Sequence, residues 1–366
     1  MNKLKVLDLF CGCGGLSHGF IDAGFEVLIG VDEDEAALKT YEKNHKNSIA
    51  YRGDLYNDET IDNIYDMISD KIEVNDGLDI VIGGPPCQGF SLTGSRDIND
   101  TRNTLYLAVV KSVRKFKPKA FLIENVPGMA TLYKGKVKEQ IVNTFEDMGY
   151  RVTVTPKPLL AADYGVPQMR KRMFFVGIRE DIAEKKGHKF EFPKPILTSD
   201  EYITCKEAIS DLPSRENELG MECDEYKYEP MSEYQKLMRK NSTTLYNHVA
   251  TKHTELVKQT IALVPDGGNH KDLPPGVGES RKFNEAWTRY ASNKPSKTID
   301  TGHRNHFHYK YNRVPTIREN ARLQSFPDDF VFMGTKTQQN RQVGNAVPPL
   351  LAYHIAQQIK KYLIED

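Results

Sequence analysis

Short apolar runs alternating with helical stretches constrain this chain more than any other feature. KVLDLF, from Lys5, reads as a strand, residues 16–25 can form a helix, and FEVLIGVD, from Phe25, reads as a second strand. LDIVIGG and KAFLIENV are apolar with few interruptions, the pattern of parallel strands covered on both faces. Helical patterns fall around residues 59–70 and 104–116. This alternation predicts an α/β fold with a doubly wound, mostly parallel sheet. YRVTVTPKPL and RMFFVGI alternate more like antiparallel strands and belong at the far edge of the same sheet.

At 366 residues the chain is long enough for two domains. From about Lys185 to residue 300 it turns polar, with weak periodicity and the turn signals DLPS, VPDGG and DLPPG. A second, smaller, less regular domain is expected there. LLAYHIAQQIKKYLI then restores an amphipathic helix, with Leu351, Ile355 and Ile359 at helical spacing. No apolar run approaches the roughly 20 residues of a membrane span, and MNKLKVLDLF reads as the start of a strand, not a signal peptide. An intracellular location is the default expectation.

The five cysteines, Cys11, Cys13, Cys87, Cys205 and Cys223, are odd in number and show no C-x-x-C spacing, which argues against a disulfide framework or a zinc site. Formal net charge is zero, but its distribution is uneven. Residues 32–79 are acidic. Lys297, Arg304, Lys310, Arg313, Arg318 and Arg322 cluster late in the chain among His303, His306 and His308. Arg96, Arg102, Lys111, Arg114, Lys115, Lys117 and Lys119 form an earlier basic cluster. A neutral total can therefore hide a basic cleft, although solvated helix faces explain either cluster taken alone.

Three motifs carry chemistry. Asp8-Leu-Phe-Cys-Gly-Cys-Gly-Gly follows the first strand, and Gly12, Gly14 and Gly15 let the backbone approach a ligand at the carboxyl end of the sheet. Asp32, twenty positions after Gly12, ends the second strand and suits a ribose hydroxyl pair. Ser17 stands where the dinucleotide fingerprint has its third glycine, so a ligand without pyrophosphate fits better. A ligand-free turn or a nucleotide dehydrogenase remains open on this motif alone. Gly83-Gly-Pro-Pro-Cys-Gln-Gly-Phe-Ser leaves the strand LDIVIGG, and Cys87 in that stiffened loop is a candidate nucleophile rather than a small core residue. Glu124 ends KAFLI, where burial disfavours the charged carboxyl; a surface carboxylate at a strand end is the plainer alternative.

Together these residues resemble the DNA (cytosine-5)-methyltransferases of bacterial restriction-modification type. DLFCGCGGLSHGF is similar to the family's cofactor loop, GGPPCQGFS to its catalytic loop, and ENV to its third catalytic element. Gln168-Met-Arg-Lys-Arg, RENARLQSFPDDF and Gln342-Val-Gly-Asn-Ala-Val-Pro-Pro resemble three later motifs, in family order. The cysteines at positions 11 and 13 are a small departure.

The resemblance implies an S-adenosyl-L-methionine-dependent methyltransferase fold with a target-recognition domain. The expected boundaries are 1–184 for the catalytic and cofactor-binding domain, 185–315 for target recognition, and 316–366 for a hinge and return. It implies that Cys87 adds to C6 of cytosine, making C5 nucleophilic towards the methyl sulfonium. Glu124 would act on N3, Arg172 would contact O2, and Arg170 would support the same site. Phe10, Gly12, Gly14 and Gly15 would line the methionine part of the cofactor, Asp32 would bind the ribose and Asp54 the adenine amine, with Leu16, Glu33, Leu55, Pro86 and Asn345 completing the site. No metal is expected. The target base must leave the stack, and the loop from Ser91 to Arg102 would close over it. The implied partners are double-stranded DNA and a separately acting cognate restriction endonuclease. The protein is expected to be monomeric, cytoplasmic and bound to no membrane. A transfer-RNA enzyme of the same fold, a catalytically silent binding protein and a dehydrogenase are the alternatives; the last gives PPCQGFS no task.

Overall fold

The computed structural model describes residues 3–72, 77–86, 106–130, 135–279, 285–302 and 306–364. The chain divides into two units. Unit 1 holds Met1–Leu160, Lys171–Lys194 and Pro349–Asp366, and unit 2 holds Ala161–Arg170 and Pro195–Pro348. This partition departs from the expected boundaries. Residues 316–348 pack into unit 2, so the return to unit 1 begins only at Pro349, and a ten-residue excursion before Lys171 also belongs to unit 2.

Unit 1 comprises, in order, β1 (Lys5–Leu9), α1 (Gly15–Asp22), β2 (Glu26–Asp32), α2 (Glu35–Asn44), β3 (Ile49–Arg52), α3 (Asp58–Ile68), β4 (Ile80–Gly83), α4 (Tyr106–Phe116), β5 (Ala120–Asn125), α5 (Lys136–Glu146), β6 (Tyr150–Val154), β7 (Leu159–Leu160), β8 (Lys171–Arg179) and α6 (Glu180–Lys186). The sheet order is β3-β2-β1-β4-β5-β8-β6, with β7 paired to β8. β1 to β5 are mutually parallel; β8 runs antiparallel to β5, and β6 and β7 antiparallel to β8. The expected doubly wound sheet and its antiparallel far edge are both present. β3, α2, α5 and α6 escape the sequence reading: β3 is four residues with no fully buried position, too short for a clear period. α2 did leave a signal, since Asp34 caps it by accepting from the Ala36 and Ala37 amides.

Leu7, Leu9, Leu28, Ile29, Val81, Val109, Phe121, Ile123 and Phe175 form part of one contiguous core on the sheet. The strand order reverses direction between β1 and β4, and at such a switch point the carboxyl-end loops diverge and leave a crevice. Both glycine-rich motifs follow these two strands. Among the described residues the acidic stretch and the early basic cluster neutralise each other: Lys111 pairs with Asp58 (2.5 Å), Lys115 with Asp62 (2.7 Å) and Lys119 with Asp79 (3.0 Å).

Unit 2 contains α7 (Cys205–Ile209), β9 (Cys223–Asp224), α8 (Glu233–Arg239), β10 (Leu245–Tyr246), α9 (Glu255–Ala262), β11 (Thr288–Arg289), β12 (His306–Phe307), α10 (Ile317–Leu323) and α11 (Lys336–Asn345); α12 (Pro349–Ile364) belongs to unit 1. Its elements are short, and buried charge does much of the work of a larger core. Arg322, fully buried, donates to Asp328 (2.9 and 2.7 Å) and to Asp211 (2.5 and 3.2 Å). Arg318 donates to the carbonyls of Tyr246, Pro327 and Phe330. Arg313 grips Glu319 with two bonds of 2.7 and 2.6 Å, and Glu319 also accepts the Thr316 amide in a capping box that starts α10. Three cations expected to help form a basic cleft are therefore structural. Arg304 and His303 lie outside the described residues.

Among the described residues no helix is long and apolar enough to cross a membrane, and Cys11, Cys13, Cys205 and Cys223 are all free thiols. Replacing Arg322 by Met strands two buried carboxylates. We expect a loss of about 3–5 kcal/mol in unfolding free energy, read from urea denaturation. A change under about 1 kcal/mol would show that the pair adds nothing.

Candidate active site

β1 ends at Leu9 and the chain turns sharply. Phe10 adopts φ 58° and Gly12 φ 54°, both left-handed, and Gly14 follows at φ 93°. A non-glycine residue at such an angle is held there by its surroundings. Phe10 packs against the main core cluster, and Asp32 holds the loop from the side. The Gly12 amide donates to Asp32 Oδ2 (2.8 Å), and Asp32 Oδ1 accepts the Asp34 amide (2.9 Å) at the entry to α2. One carboxylate thus ties the first loop to the second strand, and each oxygen keeps a lone pair for a further donor. Burial pushes the Asp32 carboxyl above its ordinary range, while the Asp34 and Gly12 amides pull it back.

Gly12 and Gly14 serve different ends. A Cβ built on Gly12 meets nothing within 4 Å, so the loop opens outward there. On Gly14 it would lie 2.2 Å from His45 Cε1 and 2.9 Å from the Tyr41 ring, where His45 stacks on Tyr41 with centroids 4.3 Å apart. Gly12 therefore suits the close approach of a ligand, and Gly14 the packing of α2 behind the loop. Gly15 and Leu16 are buried at the start of α1. Glu33 and Asp54 are exposed, Asp54 accepting the Tyr56 amide at 2.9 Å, and Leu55 is buried in the core. An open glycine loop flanked by Asp32 and an exposed Asp54 beyond β3 fits a nucleoside whose ribose and base each need an acceptor. A dinucleotide phosphate would lack its third glycine.

The second loop leaves β4. A Cβ on Gly84 would lie 3.1 Å from Glu124 Oε2, so the backbone entering Pro85-Pro86 runs directly against that carboxylate. Pro85 is buried and Pro86 exposed. Cys87 and the loop from Ser91 to Arg102 lie outside the described residues.

Glu124 is the penultimate residue of β5, and its side chain is 12% exposed. In the antiparallel pairing Glu124 stands opposite Phe174. Arg172, two residues from Phe174, is therefore its diagonal neighbour on the same face. Arg172 Nε reaches Glu124 Oε1 at 2.5 Å, and its Nη1 donates to the Lys171 carbonyl at 2.9 Å. This neighbouring cation is invisible in the strand pattern.

The remaining expected residues lie in unit 2. Arg170 is 1% exposed and donates to the carbonyls of Ile299 (3.3 Å) and Gly344 (2.7 Å). Gln168 accepts from the Ile299 amide (3.0 Å) and donates to the Leu323 carbonyl (3.1 Å) and to the side chain of Gln324. The first two members of Q-x-R-x-R thus clamp three distant segments of unit 2. Arg170, expected to support the same site as Arg172, makes these two bonds within unit 2. Asn345 is exposed at the end of α11.

Sequence reasoning missed Asp8 as a chemical group. It is 1% exposed, with Oδ2 accepting from Ser17 Oγ at 2.6 Å. The signal was present in Ser17, which replaces the third glycine. A Gly14→Ala chain should lose about 1–3 kcal/mol of stability from strain and overpacking, seen in denaturant midpoints. Gly12→Ala should lose less stability but more nucleoside affinity in calorimetry. The reverse ranking would mean that Gly14, not Gly12, meets the ligand.

Known proteins resemble this chain over almost its whole length. The family model of C-5 cytosine-specific DNA methylases matches residues 4–361. The Type II methyltransferase M.DdeI of Desulfomicrobium norvegicum is 39% identical over 98% of this chain and 89% of its own length. M1.HphI of Haemophilus parahaemolyticus, another Type II methyltransferase, is 38% identical over 98% and 87%. The crystal structure of a DNA modification methyltransferase encoded within an E. coli prophage superposes with a TM-score of 0.79 at 28% identity, covering 100% of both chains. The Entamoeba histolytica methyltransferase EhMeth, 18% identical over 100% of this chain and 99% of its own with a TM-score of 0.57, shares the fold. From Leu4 to Lys361, then, the chain belongs to the C-5 cytosine-specific DNA methylases.

Proposed function

We propose that this protein transfers a methyl group from S-adenosyl-L-methionine to C5 of a cytosine extruded from a specific duplex DNA sequence, through a covalent adduct of Cys87 at C6. The observation that carries the reading is the Glu124–Arg172 pair held against Gly84, three residues before Cys87. A ring in the crevice beside that pair would have an acid for N3 and a guanidinium for O2, and Cys87, three residues after Gly84 in the sequence, would supply the thiol for C6. The glycine loop, Asp32 and Asp54 would hold the cofactor, which supplies an electrophilic methyl group when bound.

The steps then follow from the residues. The Cys87 thiolate adds to C6, and the negative charge developing on the ring is met at N3 by Glu124 and at O2 by Arg172. C5, now enamine-like, takes the methyl group. A base removes the C5 proton, the electron pair re-forms the C5–C6 bond, and the thiolate leaves. Unit 2 would read the duplex, and a separate restriction endonuclease would cut the same sequence when it is unmethylated. The Type II names of the relatives support that pairing.

A duplex carrying 5-fluorocytosine in the target sequence should become covalently attached, because fluorine cannot leave C5 as a cation and elimination stalls. The adduct should need cofactor and Cys87 together, and Cys87→Ser should form none. Denaturing gels and peptide mapping read the result. Duplexes of every sequence left free by a folded, cofactor-binding protein would remove the DNA substrate, and attachment at Cys11 would redraw the mechanism.

Glu124→Gln should slow transfer on the order of 10²-fold with little change in DNA affinity. Single-turnover kinetics measures this, and a rate within about twofold of the parent would remove Glu124 from the chemistry.

A further inference from the structure

Asp8 sits on β1 directly before the glycine loop, with Oδ2 bound by Ser17 and Oδ1 without a hydrogen-bond partner among the described residues. A buried carboxylate with a bare oxygen is costly as an anion, and such an atom in a native fold calls for an explanation. The carboxyl is not isolated from water. Ser17 Oγ contacts Tyr41 Oη at 3.1 Å, and Tyr41 Oη contacts Ser48 Oγ at 2.9 Å. Asp8, Ser17 and Tyr41 are buried and Ser48 is half-buried. Hydroxyls both donate and accept, so an unbroken chain of three leads from the carboxyl towards the protein surface.

Other titratable groups surround Asp8. Asp32, at the end of β2, is bonded to two amides. In the loop, burial raises the Cys13 thiol to about 12 and Cys11 well above its ordinary value. On α2, the Tyr41 phenol is likewise raised, and His45 stacked on it is pushed down to about 3. On α1, His18 faces Asp22 at 3.6 Å. Burial, partly offset by the Ser17 bond and reinforced by Asp32, lifts the Asp8 carboxyl to about 7.

We propose that Asp8 distinguishes the sulfonium cofactor from its uncharged thioether product. Its carboxyl releases a proton through Ser17, Tyr41 and Ser48 when the cation binds the adjacent loop, and takes the proton back when only the thioether remains. The inference rests on the cofactor reading above. The O–H bond of the Asp8 acid breaks, its electron pair stays on the carboxylate, and the proton goes to solvent. A nearby cation favours the charged carboxylate; the thioether does not. The ammonium and carboxylate of the methionine end are common to both ligands, so the difference between them isolates the sulfonium.

The test is calorimetric titration of the whole protein with S-adenosyl-L-methionine and with the thioether, in buffers of different ionisation enthalpy. At about pH 6.5 the sulfonium should release up to about one proton more than the thioether. The affinity ratio should rise by up to about tenfold per pH unit below pH 7 and level off above. Asp8→Asn should bind both ligands without that difference. Equal proton release for the two ligands in the parent protein overturns the inference even if the variant does not fold, and leaves the cofactor reading intact. Persistence of the difference in Asp8→Asn assigns the proton to another group and also overturns it. Failure of either ligand to bind removes the cofactor reading and the inference together.

Discussion

Most of the site geometry follows from the way β8 lies on β5. Five parallel strands ending at one edge of a sheet would leave Glu124 without a neighbouring strand on its far side. The antiparallel addition of β8, with Glu124 opposite Phe174, supplies that neighbour and brings Arg172 diagonally onto the same face. A slip of one residue would turn Arg172 to the other face and leave a partly buried carboxylate alone. The same register puts the Arg170 backbone where the chain passes into unit 2, so two arginines spaced two apart perform different tasks. One sits beside the acid, and the other binds carbonyls of unit 2.

Charge is handled in two ways along the chain. In the sheet-bearing unit, the lysines of α4 and the start of β5 are exposed or half-exposed partners of acids on α3 and at the entry to β4. Such pairs contribute little individually. In unit 2, Arg313, Arg318 and Arg322 are withdrawn from water, and each has enough carboxylates or carbonyls to satisfy its guanidinium. Buried networks of this kind stabilise little over a packed apolar core, but breaking one member is costly. For a unit built from short helices and two-residue strands, their directional geometry holds segments far apart in sequence at fixed positions.

The glycine loop combines three demands in five residues. It reverses the chain after β1, leaves Gly12 open to a ligand, and packs Gly14 against His45. Behind it lies a carboxyl that contributes no apolar packing and has one oxygen without a hydrogen-bond partner among the described residues. A residue of that kind is hard to account for by folding alone.

The amino-acid sequence by itself determined the doubly wound sheet, its antiparallel edge and the glycine-rich motifs after β1 and β4, and it marked Asp32 and Glu124 as candidates. These depend on patterns of period two and 3.6, on glycine placement and on residue type, all of which are local. Only the tertiary structure decided that Arg172 rather than Arg170 meets Glu124, that Asp8 is buried with one oxygen bare, and that the arginines before and within RENARLQ are internal. It also decided that residues 316–348 stay with unit 2. Each of these depends on which distant segment supplies the partner: Ile299 and Gly344 for Arg170, Asp211 for Arg322, Tyr41 for Ser17. A charged residue reads the same in sequence whether it faces water or a buried carboxylate, because the difference is made by residues tens to hundreds of positions away.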